Sequence, residues 1–134
     1  MNDINTKLKA FERLLIIMDE LRSQCPWDKK QTLDSLRTLT IEEVYELAEA
    51  IIKGDLQEIK KELGDIMLHI VFYAKIGEEK GAFDISDVID NLNEKLIYRH
   101  PHIFGDVKVD NEQEVIENWE SLKLKEKGGN KSVL

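Results

Sequence analysis

Five carboxylates stand in two short clusters of this sequence, Glu42-Glu43-x-x-Glu46 and Glu62-x-x-Asp65, on either side of a Gly54-Asp55 break. Residues three apart on a helix share nearly one face, so Glu43 with Glu46, and Glu62 with Asp65, each present two carboxylates side by side. Drawn together at about 5 Å, unit charges repel by about 3 kcal/mol per pair at an effective dielectric of about 20, so an uncompensated cluster splays or takes up protons. A hard divalent cation removes the repulsion. Ligation by oxygen alone suits Mg2+, with Mn2+ as a substitute, better than iron or zinc. The bland alternative is a solvated charged face, since acidic pairs at this spacing are common in charged helices.

The elements that must hold these acids can be read around them. At about 100° per residue from Leu36, the apolar residues Leu39, Val44, Leu47, Ala50 and Ile51 gather on one face; Glu43 falls among them and Glu46 near the edge. Glu62 and Asp65 stand where a mixed helix becomes residues 66–74, a run apolar nearly all round and therefore expected to be buried on every side. Thr32 is the predicted N-cap of the first of these helices, Lys53 its last residue and Gly54 its left-handed stop. Asp55 is placed to cap the next helix with Glu58, and so short a connection favours antiparallel neighbours. Glu46 lies eight residues before Gly54 and Glu62 eight after it, about 12 Å along each axis, which brings the acidic pairs face to face.

The remaining chain reads as scaffold and rim. A first helix is predicted over residues 6–23, with Leu8, Phe11, Leu14, Leu15, Met18 and Leu21 as core. Cys25-Pro26-Trp27-Asp28 should break it into a loop, where Trp27 either lines a base pocket or plugs the end of the bundle. Gly64, inside a helix between Glu62 and Asp65, suggests a close approach by another backbone or a ligand. His69 could be a fifth ligand, but its apolar surroundings favour a hydrogen-bonded buried histidine. A further helix from a Ser86 cap to about Arg99 has Val88, Ile89, Leu92, Leu96 and Ile97 as its buried stripe. Lys95 and Arg99 on it are spaced to hold phosphate oxygens, although basic residues also simply favour a helix C-terminus. His100 and His102 flank a proline without a third metal ligand nearby. Asp110 or Asn111 opens a last helix carrying Trp119, a second candidate for stacking on a base.

Composition narrows the class. A chain of 134 residues, 34% charged and 42% hydrophobic, is expected to form one globular domain over residues 1–127, with 128–134 as a tail. The net charge of -8 argues against a nucleic-acid polymer or an anionic membrane as main partner. The single Cys25 excludes an internal disulfide. Without a signal-like or membrane-spanning run, a reducing cytoplasm is the expected location.

The stretches Cys25-Pro-Trp-Asp-Lys-Lys-Gln-Thr32, Glu42-Glu-Val-Tyr-Glu46, Glu62-Leu-Gly-Asp65, Arg99-His-Pro-His-Ile-Phe-Gly-Asp106 and Asn118-Trp119-Glu120 together resemble the MazG nucleoside triphosphate pyrophosphohydrolases over nearly the whole chain. The resemblance implies an all-α antiparallel bundle of about five helices, completed by assembly into a homodimer or homotetramer. It also implies Mg2+-dependent hydrolysis of nucleoside triphosphates, non-canonical ones included, to monophosphate and pyrophosphate. Glu43, Glu46, Glu62 and Asp65 would bind metal, and Lys61, Lys95, Arg99 and Trp119 would contact the nucleotide, with Trp27 as a further base-stacking candidate. Glu42 or Glu46 would orient or deprotonate the attacking water. Such proteins often carry two domains in tandem, and this chain resembles the amino-terminal copy. The alternatives are a sister pyrophosphohydrolase acting on dUTP, dCTP or phosphoribosyl-ATP, and a non-catalytic nucleotide-binding helical module.

Overall fold

The computed structural model describes residues 1–126, in which seven helices and no strand are found. The fold class is therefore all-α. The expected tail over 128–134 lies outside the described residues. The chain forms two compact units, Met1–Ile85 and a second beginning at Ser86.

In the first unit, α1 (Ile4–Gln24) starts two residues before the predicted position because Asp3 caps it, accepting from the Thr6 N–H at 2.8 Å. Cys25 turns extended ahead of Pro26, as the steric clash with a following proline requires. The expected loop is instead a short helix, α2 (Pro26–Lys30). Proline cannot continue a helix, but its fixed φ suits the first helical position, so the break that ends α1 also begins α2. Trp27 is 54% exposed on this helix and so does not plug the bundle.

The two helices that carry the acids follow. Thr32 and Ser35 form a reciprocal capping box on α3 (Leu33–Lys53), with each side-chain oxygen accepting the other's backbone N–H at 3.0 and 2.8 Å. Gly54, at φ +69°, ends α3 in the left-handed conformation that glycine adopts without a Cβ penalty. Asp55 caps α4 (Leu56–Glu79) by accepting from both Gln57 and Glu58 N–H groups. With so short a turn, α3 and α4 pack as an antiparallel hairpin, and α1 packs on α2 and α4.

Met18, Leu36, Val71, Phe72 and Ile76 form the core, flanked by Phe11, Leu14, Leu15 and Tyr73; each such buried side chain contributes about 1.5–3 kcal/mol. Arg22 ties α1, α2 and α4 together. Its Nε and Nη2 donate to Glu79 at 2.8 and 2.9 Å, its Nη1 to the carbonyls of Asp28 and Gln31 at 2.7 and 2.8 Å, and it lies over the Phe72 ring. Gly77 lets Phe83 lie against α4, because a Cβ there would come within 2.6 Å of the ring.

Residues 66–74 are not buried on every side as expected: Val71, Phe72 and Ala74 are, while Met67, Leu68 and Ile70 are exposed. Likewise Leu39, Val44 and Ile51 of α3, and Leu8 of α1, are uncovered. The apolar pattern thus marks more surface than one copy of the described chain covers.

The second unit holds most of α5 (Ile85–Arg99), with α6 (Pro101–Phe104) and α7 (Glu112–Lys125). Asn111, rather than Asp110, caps α7 by accepting the Glu114 N–H at 3.0 Å. Helix α5 includes Ile85, one residue ahead of the predicted Ser86 cap. Its predicted buried stripe is uncovered, since Val88, Ile89, Leu92, Leu96 and Ile97 are all exposed.

Candidate metal centre

Because α3 and α4 run in opposite directions from Gly54, residues paired across their seam step outward from the turn together. Thr40 meets His69 and Tyr73, and the turn-proximal positions bring Glu43 and Glu46 to Glu62 and Asp65. One carboxylate oxygen from each of these four acids lies within 4.8 Å of all the others. Glu62 is only 4% exposed, Glu43 and Asp65 are half-buried and Glu46 is exposed. Oε2 of Glu43 and Oε2 of Glu62 are buried with no hydrogen-bond donor.

Among the described residues, the one ammonium in contact with the four acids is that of Lys61, 3.2 Å from Glu62 Oε1 and 3.9 Å from Asp65 Oδ2. Hydrogen bonding and attraction to Glu62 raise its pKa. A single ammonium leaves most of the carboxylate charge uncompensated, and the ionisation equilibria respond. Burial first, then the charges of Glu46 and Asp65, push the Glu43 carboxyl up to about 7. Burial acts in the same direction on Glu62, but Lys61 and the neighbouring carboxyl groups of Glu46 and Glu43 outweigh it and hold Glu62 below its ordinary range. Such a set binds either protons or a cation. Four carboxylates, with two buried oxygens lacking donors, fit a hard divalent ion held through oxygen.

The other predicted site residues are placed as follows. Glu42 is exposed and is not one of the four converging acids. Toward the Gly54 turn, Tyr45, Lys53 and Glu58 join Glu46 and Glu62 around a groove of about 280 Å³. Lys95, Arg99 and Trp119 belong to the second unit. There Arg99 is 3% exposed, and its guanidinium donates through Nε and Nη2 to the two oxygens of Glu126, both at 2.9 Å. That side-on pair occupies the donors expected to face phosphate and leaves Nη1 buried without an acceptor. Lys95 lines a shallow pocket with Asn91, Tyr98 and Glu126. Trp119 packs edge-on against His100 at 5.2 Å, and its Nε1 is buried without an acceptor.

His69 is a buried, hydrogen-bonded histidine, as its surroundings predicted. Its partners Thr40 and Tyr73 were missed, although Thr40 lies three residues before Glu43 and Tyr73 four after His69, on the stripes that carry the acids. No local signal marked Glu126, whose partner is 27 residues away.

Comparison with known proteins identifies the family. The model of the MazG nucleotide pyrophosphohydrolase domain matches residues 31–104, which include all four acids. The chain is 52% identical over 124 residues to the nucleoside triphosphate pyrophosphohydrolase/pyrophosphatase MazG of Thermotoga maritima, covering 91% of this chain and 47% of that protein. It is 41% identical over 123 residues to the nucleoside triphosphate pyrophosphohydrolase of Escherichia coli K12, covering 90% of this chain and 47% of that one. The chain thus spans about half the length of these curated relatives. The crystal structure of a mazG-related protein from Thermotoga maritima matches with a TM-score of 0.73 at 30% identity, over 84% of this chain and 98% of that one. With its acidic hairpin inside the matched segment, the chain belongs to the MazG nucleotide pyrophosphohydrolase domain family.

Proposed function

We propose that this chain hydrolyses nucleoside triphosphates, non-canonical ones included, to monophosphate and pyrophosphate by attack of water on the α-phosphorus. The observation that carries this reading is the convergence of Glu43, Glu46, Glu62 and Asp65 with two buried oxygens left without donors. These four residues would hold Mg2+, or Mn2+ in its place. When bound, the ion neutralises the negative charge of the acids and of the departing pyrophosphate. With the acids alone, burial and the neighbouring carboxylates raise the Glu43 carboxyl to about 7, and a bound cation would favour loss of its proton.

Exposed Glu42 or Glu46 orients or deprotonates the attacking water, since Glu46 is the exposed member of the four converging acids and Glu42 adjoins Glu43 on α3. Lys61 sits beside the acids, ready to meet a phosphate oxygen. By their family resemblance Lys95 and Arg99 would contact the nucleotide, for which Arg99 must exchange Glu126 for phosphate. Trp119 and exposed Trp27 offer ring faces to a base. A homodimer or homotetramer would cover the apolar residues exposed on α3 and α4, among them Val44, Leu63, Met67 and Ile70. Among the described residues no helix is long and apolar enough to cross a membrane; the proposed cytoplasmic location rests on the single cysteine, which suits a reducing compartment.

The test is incubation of the pure protein with each nucleoside triphosphate, dUTP, dCTP and phosphoribosyl-ATP in saturating Mg2+, with separation of the products. Monophosphate and pyrophosphate in equal amounts are expected. Binding without turnover would make the chain a non-catalytic nucleotide-binding module, and release of inorganic phosphate alone would place the cleavage at another bond.

A further inference from the structure

One helical turn farther from Gly54 than Glu43 and Asp65, the α3/α4 seam carries a second polar layer. Thr40 precedes Glu43 by three residues, His69 follows Asp65 by four, and Tyr73 stands one turn beyond. Thr40 Oγ1 lies 2.6 Å from His69 Nδ1, hydrogen-bonds the Tyr73 hydroxyl and is 3.0 Å from the Leu36 carbonyl oxygen. The His69 ring is buried and meets Tyr73 edge-on, with ring centroids 6.3 Å apart. Tyr73 in turn packs on the core. Two side chains, Thr40 of α3 and Tyr73 of α4, thus hold one imidazole in place.

Two proton arrangements satisfy this network, and the neighbouring acid layer distinguishes them. Burial lowers the pKa of His69 against the opposing pull of Asp65, which favours the neutral ring with one hydrogen. In one arrangement, Thr40 donates to the Leu36 carbonyl and accepts from Tyr73 and from an Nδ1–H of His69; that carbonyl, however, already accepts the regular α-helical bond and does not require the Thr40 proton. In the other, Tyr73 donates to Thr40, and Thr40 to Nδ1 of His69, which leaves the hydrogen on Nε2. Side chains on a helix lean over the preceding turn, and for His69 that turn is the one bearing Asp65. The opposite tautomer would aim a lone pair at a layer of carboxylates.

We propose that His69 is a positioning residue for the acid cluster, presenting Nε2–H toward the carboxylate layer at Asp65 while Thr40 and Tyr73 fix its ring and tautomer. The inference rests on the reading that the four acids hold a divalent cation. Partners that orient metal-binding carboxylates in this way are worth about 10–100-fold in metal affinity.

The test combines nitrogen NMR of the imidazole in cation-free protein, calorimetric titration with Mg2+ and thermal unfolding, on wild type, His69→Leu, His69→Gln and Thr40→Val. A neutral Nε2–H tautomer is expected in wild type. His69→Leu should lose about 10–100-fold in Mg2+ affinity. His69→Gln, whose amide N–H₂ reaches roughly where Nε2–H was, should stay within about threefold of wild type, and Thr40→Val should fall between the two. A merely structural histidine would lower the melting temperature of both His69 variants and leave Mg2+ affinity alone. An Nδ1–H tautomer in wild type, a His69→Leu protein that binds Mg2+ as tightly as wild type, or a Gln variant no better than Leu would each overturn the proposal alone. Absence of Mg2+ binding by wild type would instead remove the cation reading, and this proposal with it.

Discussion

Two sets of charged side chains in the first unit have opposite internal balances. The Arg22 guanidinium spends its donors on the chain itself, on Glu79 and on the carbonyls of Asp28 and Gln31, and in doing so joins three helices. Among the described residues, the acid layer of α3 and α4 gathers four carboxylates beside one ammonium and buries two oxygens with no donor. The first arrangement is complete and therefore structural. The second carries surplus charge that the fold tolerates only with protons or a cation. Arg99 lies between these cases, matched by Glu126 on two nitrogens while the third is left without an acceptor.

The sharpest way to break this contrast is to remove a carboxylate. Glu43→Gln and Asp65→Asn should each reduce Mg2+-dependent pyrophosphate release by about 10²-fold or more, with helix content by circular dichroism unchanged. Full activity in either variant would end the metal assignment. Removing charge from the saturated set should act on stability instead. Arg22→Met is expected to cost about 2 kcal/mol, since it removes the donors to Glu79 and to the carbonyls of Asp28 and Gln31, and a urea titration would read this as an earlier midpoint. Cation-free Glu43→Gln should be no less stable than wild type, because it relieves repulsion.

The pH dependence sharpens the comparison further. Glu43 is raised in the folded protein from an ordinary value of 4.5 to about 7, so the native state holds this proton more tightly than the unfolded chain. Its stabilising contribution is full below the ordinary value and is lost as pH rises through about 7. Melting temperatures of cation-free wild type, measured against Glu43→Gln, should therefore decline across that window. Because Mg2+ competes with the proton, the stabilisation it adds should be larger at pH 8 than at pH 6. The smallest effect concerns Gly64. A Cβ there would meet nothing within 4 Å, so Gly64→Ala should stabilise α4 by up to about 1 kcal/mol. Unchanged turnover in that variant would show that no ligand requires the missing side chain, whereas a loss would restore the expected close approach.

What could be read from the residues was local in origin. Thr32, Gly54 and Asp55 announce the hairpin through cap chemistry that acts within three residues, and the i,i+3 spacing of the acids then determines which faces meet. Pro26 misled because the same restriction that ends one helix can begin another. Arg22 with Glu79, and Arg99 with Glu126, were invisible because nothing near either arginine names a partner 57 or 27 residues away. The exposed faces of α4 and α5 show a different limit: an apolar residue signals a wish to be covered without saying by what.

The Gly54 turn makes the hairpin behave like a folded ruler, with the acids as notches at matching distances from the crease. Adding a residue within the crease itself changes only the slack between the arms. Adding one between the crease and a notch swings every later position on that arm by about 100° and takes its acids out of the seam. Variation in length is therefore tolerable at residues 54 and 55 and ruinous in the stretches 47–53 and 56–61, although none of those residues is one of the four converging acids.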